Sequence, residues 1–122
     1  MNIKKIEHNN ITTLSFESPE VKSVNDTFPL EISDMSVLDG YLAEEFALGN
    51  HSLIIDLTNI SYMCSYGLSV FFNAHRKYSN NGGKIVFLNP NPSILKLFST
   101  LKVINIFEIY DNKMNAIRSF TK

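Results

Sequence analysis

The sequence predicts an α/β fold on three observations. After residue 51, apolar runs of strand length at 52–57, 84–88 and 106–110 alternate with stretches whose apolar residues recur every three or four positions. Clusters of Gly, Asn and Pro separate most of these runs. Leu, Ile, Val and Phe make up 40 of the 122 residues, enough to bury a core in a chain the size of one ordinary domain. Residues 1–122 are therefore read as a single domain, with right-handed crossovers between the strands.

The elements follow in order. Residues 3–7 and 11–16 are β-prone and flank His8-Asn9-Asn10, and asparagine tolerates the positive φ of a tight turn, so they form an opening hairpin. Residues 18–33 are punctuated by Pro19 and Pro29 and show no sustained period; 28–32 is a short extended piece. Ser33 or Asp34 caps a first helix, in which Met35, Leu38, Tyr41, Leu42 and Phe46 share one face until Gly49-Asn50 stops it. Segment 52–57 has no polar alternation before Asp56, the mark of a strand covered on both faces, and is placed at the centre of the sheet. Residues 60–64 carry the chain across the sheet end to a helix from Ser65 to about Ser79. Its buried side is Leu68, Phe71, Phe72, His75 and Tyr78, with Tyr66, Ser69, Asn73 and Lys77 opposite. Asn80-Asn81-Gly82-Gly83 ends that helix, and 84–88 is the next strand. Ser93 caps a short helix carrying Ile94, Leu95, Leu97, Phe98 and Leu101. A strand at 106–110 and a last helix from about Asp111, with Met114, Ile117 and Phe120, close the chain.

Composition excludes several classes of function. Eleven Lys and Arg against twelve Asp and Glu leave a formal charge of -1, without the cationic surplus that nucleic-acid binding draws on. One cysteine and three separated histidines provide neither a disulfide framework nor a zinc site, so no metal or cofactor is expected. No run approaches a membrane span and residues 1–10 have no targeting signal, which makes a cytoplasmic chain the expectation.

Two side chains stand where strands end and helices begin, the place where open α/β sheets concentrate function. Asp56 follows an apolar strand, as the phosphoacceptor of a receiver domain would. That chemistry needs an acidic pair after the first strand and a lysine after a later one, and Ile6-Glu7-His8-Asn9 and Leu88-Asn89-Pro90 supply neither. An Asx-type bond from Asp56 to the Thr58-Asn59 turn is the simpler role. Ser65, read from spacing alone, is a helix cap. Cys64 has no adjacent cation to lower its pKa and reads as a small, partly buried thiol. His75 reads as a packed core histidine, Glu7 and Glu44-Glu45 as solvated charges, and Gly82-Gly83 as a turn rather than a phosphate loop. Nothing assembles a nucleophile, base and oxyanion donors, so no enzyme is expected.

The string from Ile54 to Leu68, with an apolar strand ending in Asp56-Leu57, a short turn and then Cys64-Ser65-Tyr66-Gly67-Leu68, resembles the core signature of STAS domains, the anti-sigma factor antagonist family. Gly82-Gly83, Ile85 to Pro90, Ile94 to Phe98, Ile106 to Asp111 and Ala116 continue the likeness in register over about 51–120. The resemblance implies a mixed four- to five-stranded sheet with helices mainly on one face. It also implies a serine, here Ser65, whose phosphorylation by a kinase-type anti-sigma factor ends binding to that partner and is reversed by a metal-dependent phosphatase. Gly67 would then allow close approach, Leu68 would anchor the helix, and Cys64, Ser65, Tyr66, Ser69 and Asn73 would meet the partner. Cys64 stands where the family has aspartate, and Tyr66 where a small residue is frequent; both suit an alternative, an unphosphorylated structural subunit of a transport or stress-sensing assembly.

Overall fold

In the computed structural model, which describes residues 1–19 and 26–121, the strands β1 (Asn2–His8), β2 (Ile11–Glu17) and β3 (Phe28–Leu30) precede helix α1 (Ile32–Ala47). Then come β4 (Ser52–Asp56), β5 (Ile60–Met63), α2 (Ser65–Asn80), β6 (Lys84–Leu88), α3 (Pro92–Thr100), β7 (Glu108–Tyr110) and α4 (Lys113–Arg118). The irregular stretch expected at 18–33 lies partly outside the described residues, and 28–30 is extended as expected. The main sheet has the order β1-β2-β4-β6-β7, with β1 antiparallel to β2 and the other pairs parallel. It is the mixed five-stranded sheet anticipated, and β4 is its centre.

Local chemistry explains most of the elements. The β1–β2 turn has φ 52° at Asn9 and 66° at Asn10, a geometry in which asparagine is one of the few non-glycine residues at ease. Alternation along β4 sends Leu53 and Ile55 to one face and Ile54 to the other. The first face joins Leu38 and Leu42 of α1, Phe71 of α2 and Phe98 of α3 in the larger core. The second carries a smaller cluster with Val86, Leu88 and Ala116 of α4. Helices thus lie mainly on one face, and both sides of β4 are dry, which is why its sequence is apolar without alternation.

Several boundaries differ from the sequence reading, each for a local reason. Glu31, not Ser33 or Asp34, is the cap residue of α1; Asp34 lies inside the first turn and its Oδ2 accepts the Glu31 N–H at 2.8 Å. Asn91, not Ser93, caps α3, accepting the Ile94 N–H at 2.9 Å, with Pro92 in the first turn where its missing donor costs nothing. Residues 60–63 do more than cross the sheet end: they form β5 and pair in parallel with β3 as a second, two-stranded sheet. The last strand starts at Glu108, because the Ile106 and Phe107 N–H groups both turn back to the Val103 carbonyl. The last helix, expected from about Asp111, starts at Lys113 with Asn112 as its cap, and Met114 faces solvent. Glu45 is 3 % exposed rather than solvated, held by Lys5 at 2.9 Å and Asn50 at 3.2 Å, while Glu7 pairs with Lys5.

The glycine pair is a turn with two distinct demands. Gly82 has φ +78°, and at Gly83 a Cβ would overlap the His51 carbonyl oxygen. That oxygen accepts the Lys84 N–H at 2.7 Å, so the contact lies at the start of the β4–β6 ladder and cannot relax by rotating a side chain. Gly83→Ala is expected to lower unfolding free energy by about 2 kcal/mol, as overpacking of a rigid site does, measured by urea denaturation.

Candidate functional site

The N-terminus of α2 is assembled by the segments before it. β5 delivers the chain to Cys64, which has extended dihedrals (φ -82°, ψ 172°) and occupies the cap position. Its carbonyl accepts the Gly67 N–H at 3.0 Å and the Leu68 N–H at 3.4 Å, but its side chain caps nothing. Ser65, expected on spacing to be the cap, is instead the first helical residue. It is exposed, and its hydroxyl forms no hydrogen bond among the described residues. The first turn carries no acidic residue, so the partial positive charge of this helix end is unanswered. Cys64→Asp should add about 1 kcal/mol of stability by supplying the missing cap; an unchanged midpoint in urea would show that the helix end is already satisfied.

The supports of Ser65 come from three elements. Leu68 is 4 % exposed and belongs to the main core. At Gly67 an added Cβ would lie 3.2 Å from the Met35 sulfur, so α1 crosses close over this turn. Asn91 completes the frame. While its Oδ1 caps α3, its Nδ2 donates to the carbonyls of Ile60 at 3.2 Å and Ser61 at 2.9 Å, fixing β5 to the start of α3. Sequence reasoning missed this residue, for its role is visible only when residues some thirty positions apart meet; the Asn-Pro pair, a helix-start signal, was the one local sign.

Tyr66, Ser69 and Asn73 are exposed along α2, and Cys64 is half-buried. Ser65, Ser69 and Asn73 line one side of an open groove of about 450 Å³, and Leu68, Phe72, Leu101 and Val103 complete it. Tyr66, 45 % exposed, and Tyr62, 49 % exposed, do not line it. The sequence places Phe72 on the buried side of its helix and Leu101 on the short helix after Ser93. Phe72 is only half-buried, and Leu101, which follows the end of α3 at Thr100 as its C-terminal cap residue, is 44 % exposed.

Asp56 is taken up by its own turn. Its Oδ1 accepts the Thr58 N–H at 3.0 Å and the Thr58 hydroxyl, which in turn accepts from Asn89 at 3.2 Å. No hydrogen bond joins it to Ser65.

His75 is half-buried, its ring 5.6 Å from that of Phe107 in an edge contact, and its buried Nδ1 has no hydrogen-bond partner. Burial lowers its pKa below the ordinary histidine value, with the Glu108 charge acting weakly in the opposite sense. The unfolded chain therefore takes up this proton first as pH falls. The stability contribution is complete above the unfolded pKa, about 6.5, and is lost progressively below it. His75→Phe is expected to flatten that part of the decline in melting temperature between about pH 7 and about pH 5; identical slopes would refute the assignment.

The arrangement defines the class first: an α/β protein with three helices on one face of a mixed sheet and an unblocked serine at the head of the central helix. Residues 3–116 match the family model of the STAS domain, and the chain belongs to that family. A curated relative, the anti-sigma F factor antagonist of Paenibacillus polymyxa, is 29 % identical over 65 residues, 53 % of this chain and 56 % of that protein. The chain thus spans little more than half the length of that relative. A putative anti-sigma factor antagonist of Thermotoga maritima superposes with a TM-score of 0.83 at 18 % identity, covering 98 % of this chain and 95 % of that one. The anti-sigma factor antagonist SpoIIAA in its unphosphorylated form gives 0.72 at 15 % identity over 98 % and 97 % of the two chains. Among the described residues no helix is long and apolar enough to cross a membrane.

Proposed function

We propose that this chain is an anti-sigma factor antagonist-like regulator in the cytoplasm, which binds a kinase-type anti-sigma factor or a related partner and is switched by phosphorylation of Ser65. The observation that carries the reading is the Ser65 hydroxyl, exposed at the first position of α2 and engaged by no other described group. A cap serine would have its oxygen occupied by a backbone N–H; this one is available to a phosphoryl donor. The anti-sigma factor antagonists named above agree in kind, and SpoIIAA is a neighbour of this fold in both unphosphorylated and phosphorylated forms. Cys64, Ser65, Tyr66, Ser69 and Asn73 would meet the partner, and a metal-dependent phosphatase would reset the serine. In this scheme the chain is substrate and ligand, while the kinase partner supplies ATP and the catalytic groups.

Phosphate at this position adds ~1.5–2 negative charges where helix N–H groups and the dipole favour them. The change would therefore act on the interface and leave the fold intact. Intact-mass and phosphopeptide analysis of the protein from its native cells tests the reading. Phosphate on Ser65 supports it. A stable stoichiometric complex that never carries phosphate favours the second reading, a structural subunit of a transport or stress-sensing assembly, to which the uncapping Cys64 and the bulky Tyr66 are suited. Phosphate on Asp56 instead would point to a receiver, against the occupied state of that carboxylate.

A further inference from the structure

Charge is distributed unevenly in this nearly neutral chain. No Asp or Glu occurs between Asp56 and Glu108, a stretch holding Arg76, Lys77, Lys84, Lys96 and Lys102. Helix α1 is the reverse, with Asp34, Asp39, Glu44 and Glu45 and no Lys or Arg. The groove beside Ser65 lies wholly within the stretch that lacks carboxylates. Its apolar lining is Leu68, Phe72, Leu101 and Val103, and two cations belong to the segments that supply it. The Arg76 guanidinium sits 6.0 Å from the centre of the Phe72 ring, and Lys102 stands between the two lining residues Leu101 and Val103. Both are exposed, and neither forms an ion pair among the described residues.

On the reading of Ser65 as the switch, we propose that this groove receives the apolar face of an amphipathic helix from the partner, whose flanking carboxylates meet Arg76 and Lys102. An apolar floor under unpaired cations favours a segment that brings aliphatic side chains and negative charge together, and disfavours a basic one. The same arrangement explains how one phosphate releases the partner. Ser65 is on the lip of the groove, and ~1.5–2 negative charges there offset the two rim cations and face the incoming carboxylates with like charge. Release then follows from cancelled attraction rather than from a change of fold.

The test uses the whole chain and two synthetic helical peptides, identical in their leucine-bearing face but flanked by glutamates in one and by lysines in the other. Fluorescence anisotropy at low ionic strength should show binding of the glutamate peptide only, weakened by added salt. Amide shifts should map to Ser65, Ser69, Asn73, Leu101 and Val103. The Arg76→Glu/Lys102→Glu double variant should lose roughly tenfold or more in affinity with an unchanged circular dichroism spectrum, both residues being exposed. Equal binding of the lysine peptide, shifts confined to another surface, or an unaffected double variant would each overturn the proposal. So would self-association in sedimentation velocity that the double variant abolishes, since the acidic α1 of a second copy would then be the occupant. Ser65→Asp separates the two levels of inference. If it leaves peptide binding intact while the double variant loses it, the groove stands and the Ser65 switch falls; if Ser65→Asp alone weakens binding, the switch stands and the rim cations do not.

Discussion

Ser65→Asp is expected to weaken binding to an anti-sigma factor partner by roughly fifty-fold or more, while the melting temperature stays level or rises slightly. The two halves of the expectation have different origins. A like-charge or desolvation penalty of ~2–3 kcal/mol at the interface corresponds to that loss in affinity. Within the fold, by contrast, a carboxylate in the first turn of a helix is favourable by ~0.3–1 kcal/mol, and α2 has neither a side-chain cap nor an acidic residue in that turn. Titration calorimetry against the partner recovered from native cells gives the first number, and thermal unfolding the second. Ser65→Ala should bind as the wild type does and resist switching. A fall of several degrees in melting temperature for Ser65→Asp would mean that the helix end does not accept negative charge, and the proposed mode of switching would fail with it.

Asn91→Ala should be among the most damaging single changes outside the apolar core, at about 3 kcal/mol. The side chain caps α3 through Oδ1 and satisfies the carbonyls of Ile60 and Ser61 through Nδ2. Loss of a cap costs ~1 kcal/mol, and each part-buried carbonyl left without its donor costs ~1 kcal/mol more. The damage should not be uniform. β5 loses its tether to α3, so hydrogen exchange should accelerate at 60–64 and at the start of α2 more than in β4 or β6. Asn91→Asp is the control: it keeps the capping oxygen, loses the donor, and should fall between the wild type and the alanine variant in urea denaturation. If Asn91→Ala costs less than about 1 kcal/mol, water replaces the side chain and the frame around Ser65 is held by other contacts.

Much of the molecule was legible in its sequence because the decisive signals were local. The Asn9-Asn10 turn, the unbroken apolar run of β4 and the exposed side of α2 at Tyr66, Ser69 and Asn73 each reflect a few consecutive residues and a known period. The caps were harder to place, since Ser33, Asp34, Ser65 and Ser93 all have the right chemistry. Which oxygen reaches which N–H depends on where the preceding strand releases the chain. At α1 and α3 the cap moved to Glu31 and Asn91; at α2 it moved to Cys64, which left Ser65 free. The pairing of β5 with β3 was not legible, for a four-residue strand and a three-residue strand far apart in the chain carry no periodicity that links them. Glu45 shows the same limit, because its burial is permitted by Lys5 on a strand forty residues away.

The sequence by itself determined the alternation of strands and helices, the two-sided burial of β4 and the presence of a serine where a strand connection turns into a helix. Hydrophobic period and turn chemistry are written within a few residues, so they need no knowledge of the rest of the chain. Only the tertiary structure decided that Ser65 is exposed with its hydroxyl unengaged, that Leu101 and Phe72 line a groove beside it, and that the Arg76 guanidinium lies beside the Phe72 ring of that groove. Exposure, hydrogen-bond partners and the field at a surface are sums over residues distant in sequence, and packing brings those residues to one place.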